Sequence, residues 1–468
     1  MSLFVPPRPS VLPKKASLLQ HLQHGLRSGI GMFLSGSYEN VGVGRHPIPT
    51  MPRGRMRWLF TVRTPELIRE VLVRRSEDFP KSALMDDMLR ALTGYSIFVS
   101  NGDAWRRHRR LMDPAFEAAR IKAVFPMMLD AVNACVERIG VALDQAGPGR
   151  PIAIDVEMTH YAADVIFRTI FSEPLDGKSA RRFFKAFAVF QGIAYAHGML
   201  KLARVPTQLF PGAWRAKRAA MVIRRILEAP IQRRLEAVRR GDPTPRDDIL
   251  ATLTTTVDLE TGTRFDDKEL LDQIALLFLA GHETSATAIA WSLYLLANAP
   301  DVQERAHAEA AEVYGDREPR FSDMRRLPLN RDVFREAMRL YPPVAFFARD
   351  AIQPEQPMNR QVEPGSVVFV SPWLMHRHVT HWDQPDAFDP DRFDTKGGQE
   401  ALKCAYLPFS MGPRVCAGAS FALQEAVLLL SELVRRYRFA PAPGHTPVPV
   451  ARLTLRSANG IPLIVERR

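Results

Sequence analysis

The run from Asp267 to Ala299 restricts the fold of this chain more than any other stretch. Its centre, LLFLAGHETSATAIAW, is apolar on most helical faces, so the helix it predicts is a buried one. Asp266 and Glu269 have capping-box spacing at its start, and Pro300 marks its end. Roughly 33 residues make about 50 Å of helix, enough to cross a whole domain. A transmembrane span is the alternative, but His282 and Glu283 sit at mid-span, where a charge costs about 2.5–3.5 kcal/mol. A polar site inside the protein accounts for them better. HETSA also invites a zinc-protease reading, which needs a second histidine one turn on; that position holds Ala286. Gly281 costs about 1 kcal/mol in such a helix and is tolerated where something lies close to the backbone or the helix deforms. Glu283 and Thr284 beside it can relay protons to a bound group. In the plainer reading Thr284 bonds back to its own helix and Glu283 pairs with a cation.

The rest of the 468-residue chain suits a globular protein with a sizeable core: 46% of residues are hydrophobic and 24% charged. From about 105 to 345 the pattern is dominantly helical. Strand-like runs, MRWLFTV (56–62), SVVFVSP (366–372) and IPLIVE (461–466), lie towards the two ends. The expectation is one mainly α domain over 1–468. Its minor β region covers about 40–75, 350–372 and 445–466; its helical region covers about 80–345 and 417–437. Cys135, Cys404 and Cys416 are odd in number and form no CxxC pair, which argues against a disulfide framework or a cysteine-rich zinc site. Reduced thiols, with no apolar run in the N-terminal segment long enough for a signal or membrane anchor, lead to a cytoplasmic expectation. The net charge of +12 suits nucleic acid, an anionic membrane or an acidic protein. Aromatic residues are not interleaved with the charges, which disfavours nucleic acid.

FSMGPRVCAG, residues 409–418, places Cys416 in a turn ahead of an amphipathic run from Ala417 to about Tyr437. A thiolate there is favoured by the N–H groups and dipole of the helix start. Gly412 permits the sharp turn, Gly418 lets a flat ligand approach, and Arg414 brings a cation suited to a carboxylate. Cys135 and Cys404 are assigned as small buried hydrophobes. A single thiolate suits an iron held by a macrocycle, not a four-ligand zinc.

F-x-x-G-x-R-x-C-x-G, met by Phe409, Gly412, Arg414, Cys416 and Gly418, resembles the heme-binding loop of the cytochrome P-450 monooxygenases. AGHETS at 280–285 is similar to that family's oxygen-activation segment, and EAMR at 336–339, running into LYPP, to its E-x-x-R helix. FDPDRF at 388–393 supplies a second arginine, Arg392, and WRRHR at 105–109 resembles its W-x-x-x-R. The resemblance implies a cytochrome P-450 fold: mainly α, a long central helix over heme, and a minor β region from the N- and C-terminal parts. It implies heme b (iron-protoporphyrin IX) with Cys416 as its axial metal ligand, and Phe409 against the ligand side or in the ordinary core. Trp105, Arg109, Arg414, Arg349 and Lys81 would meet the propionates, and Ala280 and Gly281 would lie against the cofactor. Glu336, Arg339 and Arg392 would form a structural triad locking the supports of the cysteine loop. Glu283 and Thr284 would be the catalytic pair, delivering protons during oxygen activation.

A monomeric enzyme of this kind takes O₂ and electrons from NAD(P)H through a separate protein, since only 52 residues follow Cys416. A ferredoxin or flavodoxin is expected on a basic face built from WRRHRR and VRRYR. The substrate pocket is expected from about 84–98, 183–212, the helix face near Ala280, the segment after Pro343 and the turn near 456–461. Val344, Phe346, Phe347 and Leu279 are its candidate walls. Phe183, Phe187, Phe190, Ile193 and Tyr195 are lid or core. A lipophilic substrate follows, such as a fatty acid, terpenoid, steroid or aromatic compound, to be hydroxylated or epoxidised. The rivals are a heme-thiolate peroxygenase and a non-catalytic heme-binding or gas-sensing protein.

Overall fold

The computed structural model describes residues 57–202, 212–241, 247–353 and 362–468 throughout, and nearer the N-terminus residues 3–9, 12, 20, 24–25, 27–32, 38–39 and 42–48. Parts of the expected β region (40–41, 49–56, 354–361) and of the expected 183–212 pocket segment (203–211) lie outside the described residues.

The principal helices are α1 (Ala83–Thr93), α2 (Gly102–Met112), α3 (Ala118–Ala146), α4 (Ile154–Phe171), α5 (Gly177–Leu202), α6 (Ala213–Arg239), α7 (Asp267–Ala297), α8 (Pro300–Tyr314), α9 (Pro328–Leu340) and α10 (Ala419–Arg436). The central helix α7 starts as expected. Glu269 N–H donates to Asp266 Oδ1 at 2.7 Å, and Asp266 N–H donates to Glu269 Oε2 at 3.1 Å. It stops two residues early because Asn298 turns back, its amide donating to Tyr294 O at 2.8 Å, while Pro300 opens α8. Among the described residues α7 is the one helix long and apolar enough to cross a membrane, and 67% of its most apolar window is buried in the protein. Trp291 lies stacked on Tyr341, ring centroids 3.7 Å apart, deep in the core.

Two neighbours grip α7. Along α4 the approach is so close that a Cβ on Gly281 would sit 2.5 Å from Ile166 Cδ1, so a side chain there would force Ile166 to move. Towards α10, Ser285 donates to the fully buried Glu425 at 3.0 Å. Burial pushes the Glu425 carboxyl up to about 8, against the pull of Ser285. The loop after α1 is clamped on the same helix: Tyr95 N–H donates to Asp272 Oδ2 and Ile97 N–H to Gln273 Oε1, both at 2.9 Å.

The strands do not merge into one sheet, as a single minor β region would suggest. β1 (Val43–Ile48), β2 (Arg57–Val62), β4 (Phe347–Asp350) and β5 (Val367–Val370) form a sheet in the order β1-β2-β5-β4. β2 and β5 run parallel with Leu59 opposite Val367, and β4 is antiparallel to β5 with Phe347 opposite Val370. A second sheet joins β3 (Ile152–Ala153), β6 (Tyr437–Pro441) and β9 (Pro462–Arg467), and β7 (Pro449–Ala451) pairs with β8 (Leu455–Ser457). The C-terminal strand therefore pairs with the helical region's own β3, not with the N-terminal strands.

Candidate functional site

The loop before α10 is held by its own backbone. Ser410 N–H donates to Leu407 O at 3.2 Å, Val415 N–H to Gly412 O at 3.0 Å, and Cys416 N–H to Phe409 O at 3.0 Å. Gly412 has φ +75°, and a Cβ there would lie 2.3 Å from Leu72 O, so both the turn and its packing require glycine. Gly418 differs: the nearest atom to a Cβ would be Phe116 Cε1 at 3.8 Å, and φ is −87°. Nothing within the chain forces that glycine. The Cys416 side chain is open on one side. Burial on the others pushes its thiol up, while the Gly418 N–H and Arg109 pull it down. Phe409 is half-buried and packs on the main core, its plainer role. Cys135 is wholly buried, its thiol pushed up to about 12, and Cys404 is half-buried; neither faces a site.

A backbone bridge between Lys81 and Arg349 brings two cations together beside the sheet. Arg349 is buried and its guanidinium donates to Ala348 O at 3.0 Å. Arg414 stands 5.0 Å over the Trp105 ring, and the Lys81 ammonium 5.9 Å from the same ring. Burial, with Arg414, Arg349 and Arg109 nearby, holds Lys81 well below the ordinary lysine range. Burial and Arg414 bring Arg349 down to about 10. Among the described residues no carboxylate pairs with Lys81 or Arg349. Arg109 is different: it bonds Asp113 at 2.6 Å and Val415 O at 2.7 Å, tethering α2 to the cysteine loop. Asn101, which the sequence did not single out, completes the group. Its side chain accepts Lys81 N–H at 3.0 Å and also accepts from Arg414.

On α7 the acid and the hydroxyl part company. Thr284 donates back to Ala280 O, and Glu283 turns to Gln191 of α5. Burial raises the Glu283 carboxyl, against Thr454, Arg456 and Gln191. The local geometry is thus the plainer one, with an amide as well as a cation beside the acid. Glu283 also lines a cavity of about 330 Å³ with His282, Asp155, His160, Phe187 and Arg456. That cavity draws on two expected pocket segments, through Phe184 and Phe187 and through Arg456 and Ile461, but it includes neither Cys416, Ala280 nor Thr284, and none of Val344, Phe346, Phe347 or Leu279. His282 belongs to the core, its Nδ1 on Phe278 O at 2.8 Å. Ala280 is exposed in mid-helix, an unusual condition for the centre of so buried an element.

Glu336, Arg339 and Arg392 meet as expected, all buried. Glu336 accepts from Arg339 at 2.7 and 2.8 Å and from Arg392 at 2.9 Å, and Asp389 N–H adds a bond at 3.0 Å. Burial pushes the Glu336 carboxyl up, but Arg339 and Arg392 outweigh it and hold it below its usual range. The remaining guanidinium hydrogens go to carbonyls, among them His376 O (2.8 Å), Ala387 O (2.9 Å) and Asp383 O (2.6 Å).

Two expectations need correction. Phe346 and Phe347 do not share a wall: Phe347 packs with Val368 and Val370 in one core, while Phe346 packs with Leu84, Met199 and Phe369 in another. The two-residue period of a strand separates them. Of the lid or core candidates, Phe183, Phe187, Phe190 and Tyr195 take the core alternative as buried residues, while Ile193 is half-buried, as are Val344 and Leu279. The basic runs are not free faces either. Arg107 pairs with Glu269 (2.7 Å) and Arg110 with Asp258 (2.5 Å), while Arg435 and Arg436 share the buried Glu432 (2.9 and 3.0 Å). Arg106 pairs with Glu77 and Asp103 but is 45% exposed, so it remains available at the surface.

These residues fit a heme. Lys81, Arg349 and Arg414 repel one another and would be balanced by two carboxylates. Ala280 and Cys416 both present open surface, and Gly418 leaves room that no side chain requires. Among the described residues no group of three or more His, Cys, Asp or Glu side chains gathers around a metal position. Cys416 would therefore hold an iron whose other ligands a macrocycle supplies.

The family model for cytochrome P-450 matches residues 46–463. The chain is 32% identical over 411 residues to cyclooctatin synthase of Streptomyces melanosporofaciens, covering 86% of this chain and 85% of that protein. It is 32% identical over 382 residues to cyclooctat-9-en-7-ol 5-monooxygenase of the same organism, covering 82% and 80%. To 11-oxo-beta-amyrin 30-oxidase of Glycyrrhiza uralensis it is 31% identical over 419 residues, covering 86% and 77%. The crystal structure of the heme domain of cytochrome P450DA superposes with a TM-score of 0.77 at 24% identity, over 91% of this chain and 90% of that one, a likeness of fold. With a cysteine loop that leaves one sulfur open and a family match over residues 46–463, the chain belongs to the cytochrome P-450 family of monooxygenases.

Proposed function

We propose that residues 1–468 act as one cytoplasmic, monomeric heme domain that draws electrons from a separate ferredoxin or flavodoxin and inserts one atom of O₂ into a lipophilic small molecule. When bound, the heme supplies the site at which O₂ is reduced and cleaved, with the cysteine sulfur as electron donor to iron. The chain's own part is to seat that group and to move protons. Cys416 offers the sulfur, held in place by the bond from its amide to Phe409 O. Lys81, Arg349 and Arg414, with Trp105 beside them, would neutralise the two propionates, and Arg109 ties α2 to the loop. The triad of Glu336, Arg339 and Arg392 keeps the structure around the loop rigid.

Protons would reach the site through Glu283 and Thr284. Burial keeps the Glu283 proton affinity raised, which suits an acid that must be reloaded near neutral pH. Gln191 and Arg456 hold its carboxyl away from Thr284, so delivery requires the side chain to turn between the two. The relatives named for cyclooctat-9-en-7-ol and 11-oxo-beta-amyrin favour a terpenoid among the substrate classes left open by composition. Phe346, with Leu84 and Met199 around it, is the best-supported wall for such a molecule. An electron donor would dock where Arg106 stays exposed, and NAD(P)H would feed that donor.

The observation that carries this reading is the cluster of Lys81, Arg349 and Arg414 beside an open Cys416, in which no carboxylate among the described residues pairs with Lys81 or Arg349. The test is turnover of a terpenoid panel with a surrogate ferredoxin and its reductase. Oxygen-dependent NADPH consumption with an oxygenated product is expected. Product formed from peroxide alone, with none from O₂ and reductant, would make the protein a peroxygenase instead. No oxygen uptake with any donor or substrate would leave a non-catalytic heme protein.

A further inference from the structure

His376 lies immediately after the short helix Pro372–Met375 and is fully buried. Its carbonyl accepts from Arg339 Nη1 at 2.8 Å. Its ring makes two further bonds: Nδ1 lies 3.2 Å from the Arg339 carbonyl, and Nε2 lies 2.7 Å from the Leu407 amide nitrogen. A carbonyl only accepts and an amide N–H only donates, so the ring must carry a single proton, on Nδ1. Burial, with Arg339 and Arg377 nearby, brings its pKa down to about 3, in keeping with a neutral ring. Tyr406 stacks on it at 5.2 Å, and the Tyr406 hydroxyl donates to Arg335 O of α9 at 3.0 Å.

On the other side of this ring the chain enters the cysteine loop. Leu407 O accepts Ser410 N–H, and Phe409 O accepts Cys416 N–H. Hydrogen bonds therefore run from the Glu336–Arg339–Arg392 cluster through one imidazole into the backbone that seats the sulfur. The cluster's guanidinium bonds end on His376, Pro385, Ala387, Asp383 and Gln384 carbonyls, none of them in the loop itself.

We propose that His376 is a positioning residue that couples the buried Glu336–Arg339–Arg392 cluster to the Cys416 loop through its Nδ1–H imidazole. Only the spectroscopic part of its test rests on Cys416 binding heme iron. The amide of Gln reaches where Nε2 stands, and the amide of Asn where Nδ1 stands. His376→Gln thus keeps the bond to Leu407, His376→Asn keeps only the bond to Arg339, and His376→Phe keeps neither.

Hydrogen exchange of the Leu407 amide is measured in the three full-length variants, with the carbon monoxide spectrum of each reduced, heme-loaded protein. In the Asn and Phe variants the Leu407 amide should exchange about tenfold faster or more, as loss of a buried hydrogen bond dictates. The thiolate-type Soret band should give way in part to the thiol-ligated band. His376→Gln should stay near the unsubstituted protein in both. Equal behaviour of all three variants overturns the proposal and leaves His376 as packing. The ring nitrogen shifts of the unsubstituted protein, by ¹⁵N NMR, decide the matter even if no variant folds: a buried Nδ1–H tautomer supports the coupling, and Nε2–H or a charged ring refutes it. Absence of a thiolate band in every protein would instead sink the heme reading, and the NMR result would still stand on its own.

Discussion

Two groups of cations lie in this protein, one wholly buried and one half-buried around Arg349, and they are built on opposite rules. Arg339 and Arg392 surround a carboxylate, and their remaining hydrogens end on carbonyls, so the group is complete within the chain. Lys81, Arg349 and Arg414 have a ring, an amide oxygen and a few carbonyls, but among the described residues no acid pairs with Lys81 or Arg349, and Arg414 depresses the proton affinity of both. Desolvating a charge without a counterion is expensive. The first group therefore stabilises the fold, while the second would do so only with an anion from outside the chain, as the proposed function requires.

Removing the one acid of the complete cluster should have the largest effect. Glu336→Ala leaves two buried guanidinium groups unpaired and should cost about 3–5 kcal/mol, read as a collapse of the unfolding midpoint and of heme loading. The same kind of change in the incomplete cluster should act with the other sign. Arg349→Leu should stabilise the heme-free protein by about 1–3 kcal/mol yet loosen heme retention, measured by transfer of heme to apomyoglobin. If the heme-free variant is destabilised, the contrast fails.

The two clusters should also respond at opposite ends of the pH scale. Glu336 has a depressed folded pKa, so the stability it contributes is present above its unfolded pKa and is lost as pH falls through the folded value, below the ordinary carboxylate range. Lys81 is depressed as well, but it is a base: between its folded and unfolded pKa the unfolded chain holds more protons. Heme-free protein should gain stability as pH rises through that window, and heme-loaded protein should gain less. Denaturation midpoints across pH, with and without heme, check both. The smallest effect belongs to the surface. Arg106→Glu should leave stability nearly unchanged while slowing reduction by a surrogate ferredoxin severalfold at low salt, a difference that fades as salt is raised.

What was legible in the sequence was local chemistry. The capping box of α7, the turn at Gly412 and the i,i+3 pair of Glu336 and Arg339 depend on neighbours a few residues away, and all are found in place. What was not legible depends on distant partners. Glu283 turns to Gln191, which is 92 positions away, and the arginines of α2 find acids contributed by Asp258 and Glu269. Composition shows a basic run but not the carboxylates that fold onto it. Gly281 was rightly singled out for a close approach, and the partner is Ile166 of α4. The separation of Phe346 from Phe347 was within reach, because consecutive residues at a strand cannot face the same way. His376 carried no signal of its own; only the meeting of Arg339 and Leu407 gives its ring a role.

The most direct measurement is the carbon monoxide spectrum of the reduced, heme-reconstituted protein beside its Cys416→Ser variant. The account predicts a thiolate-type Soret band in the first and its disappearance, together with oxygenase turnover, in the second. A fully heme-loaded native protein without that band, or a serine variant that keeps both band and turnover, would contradict it.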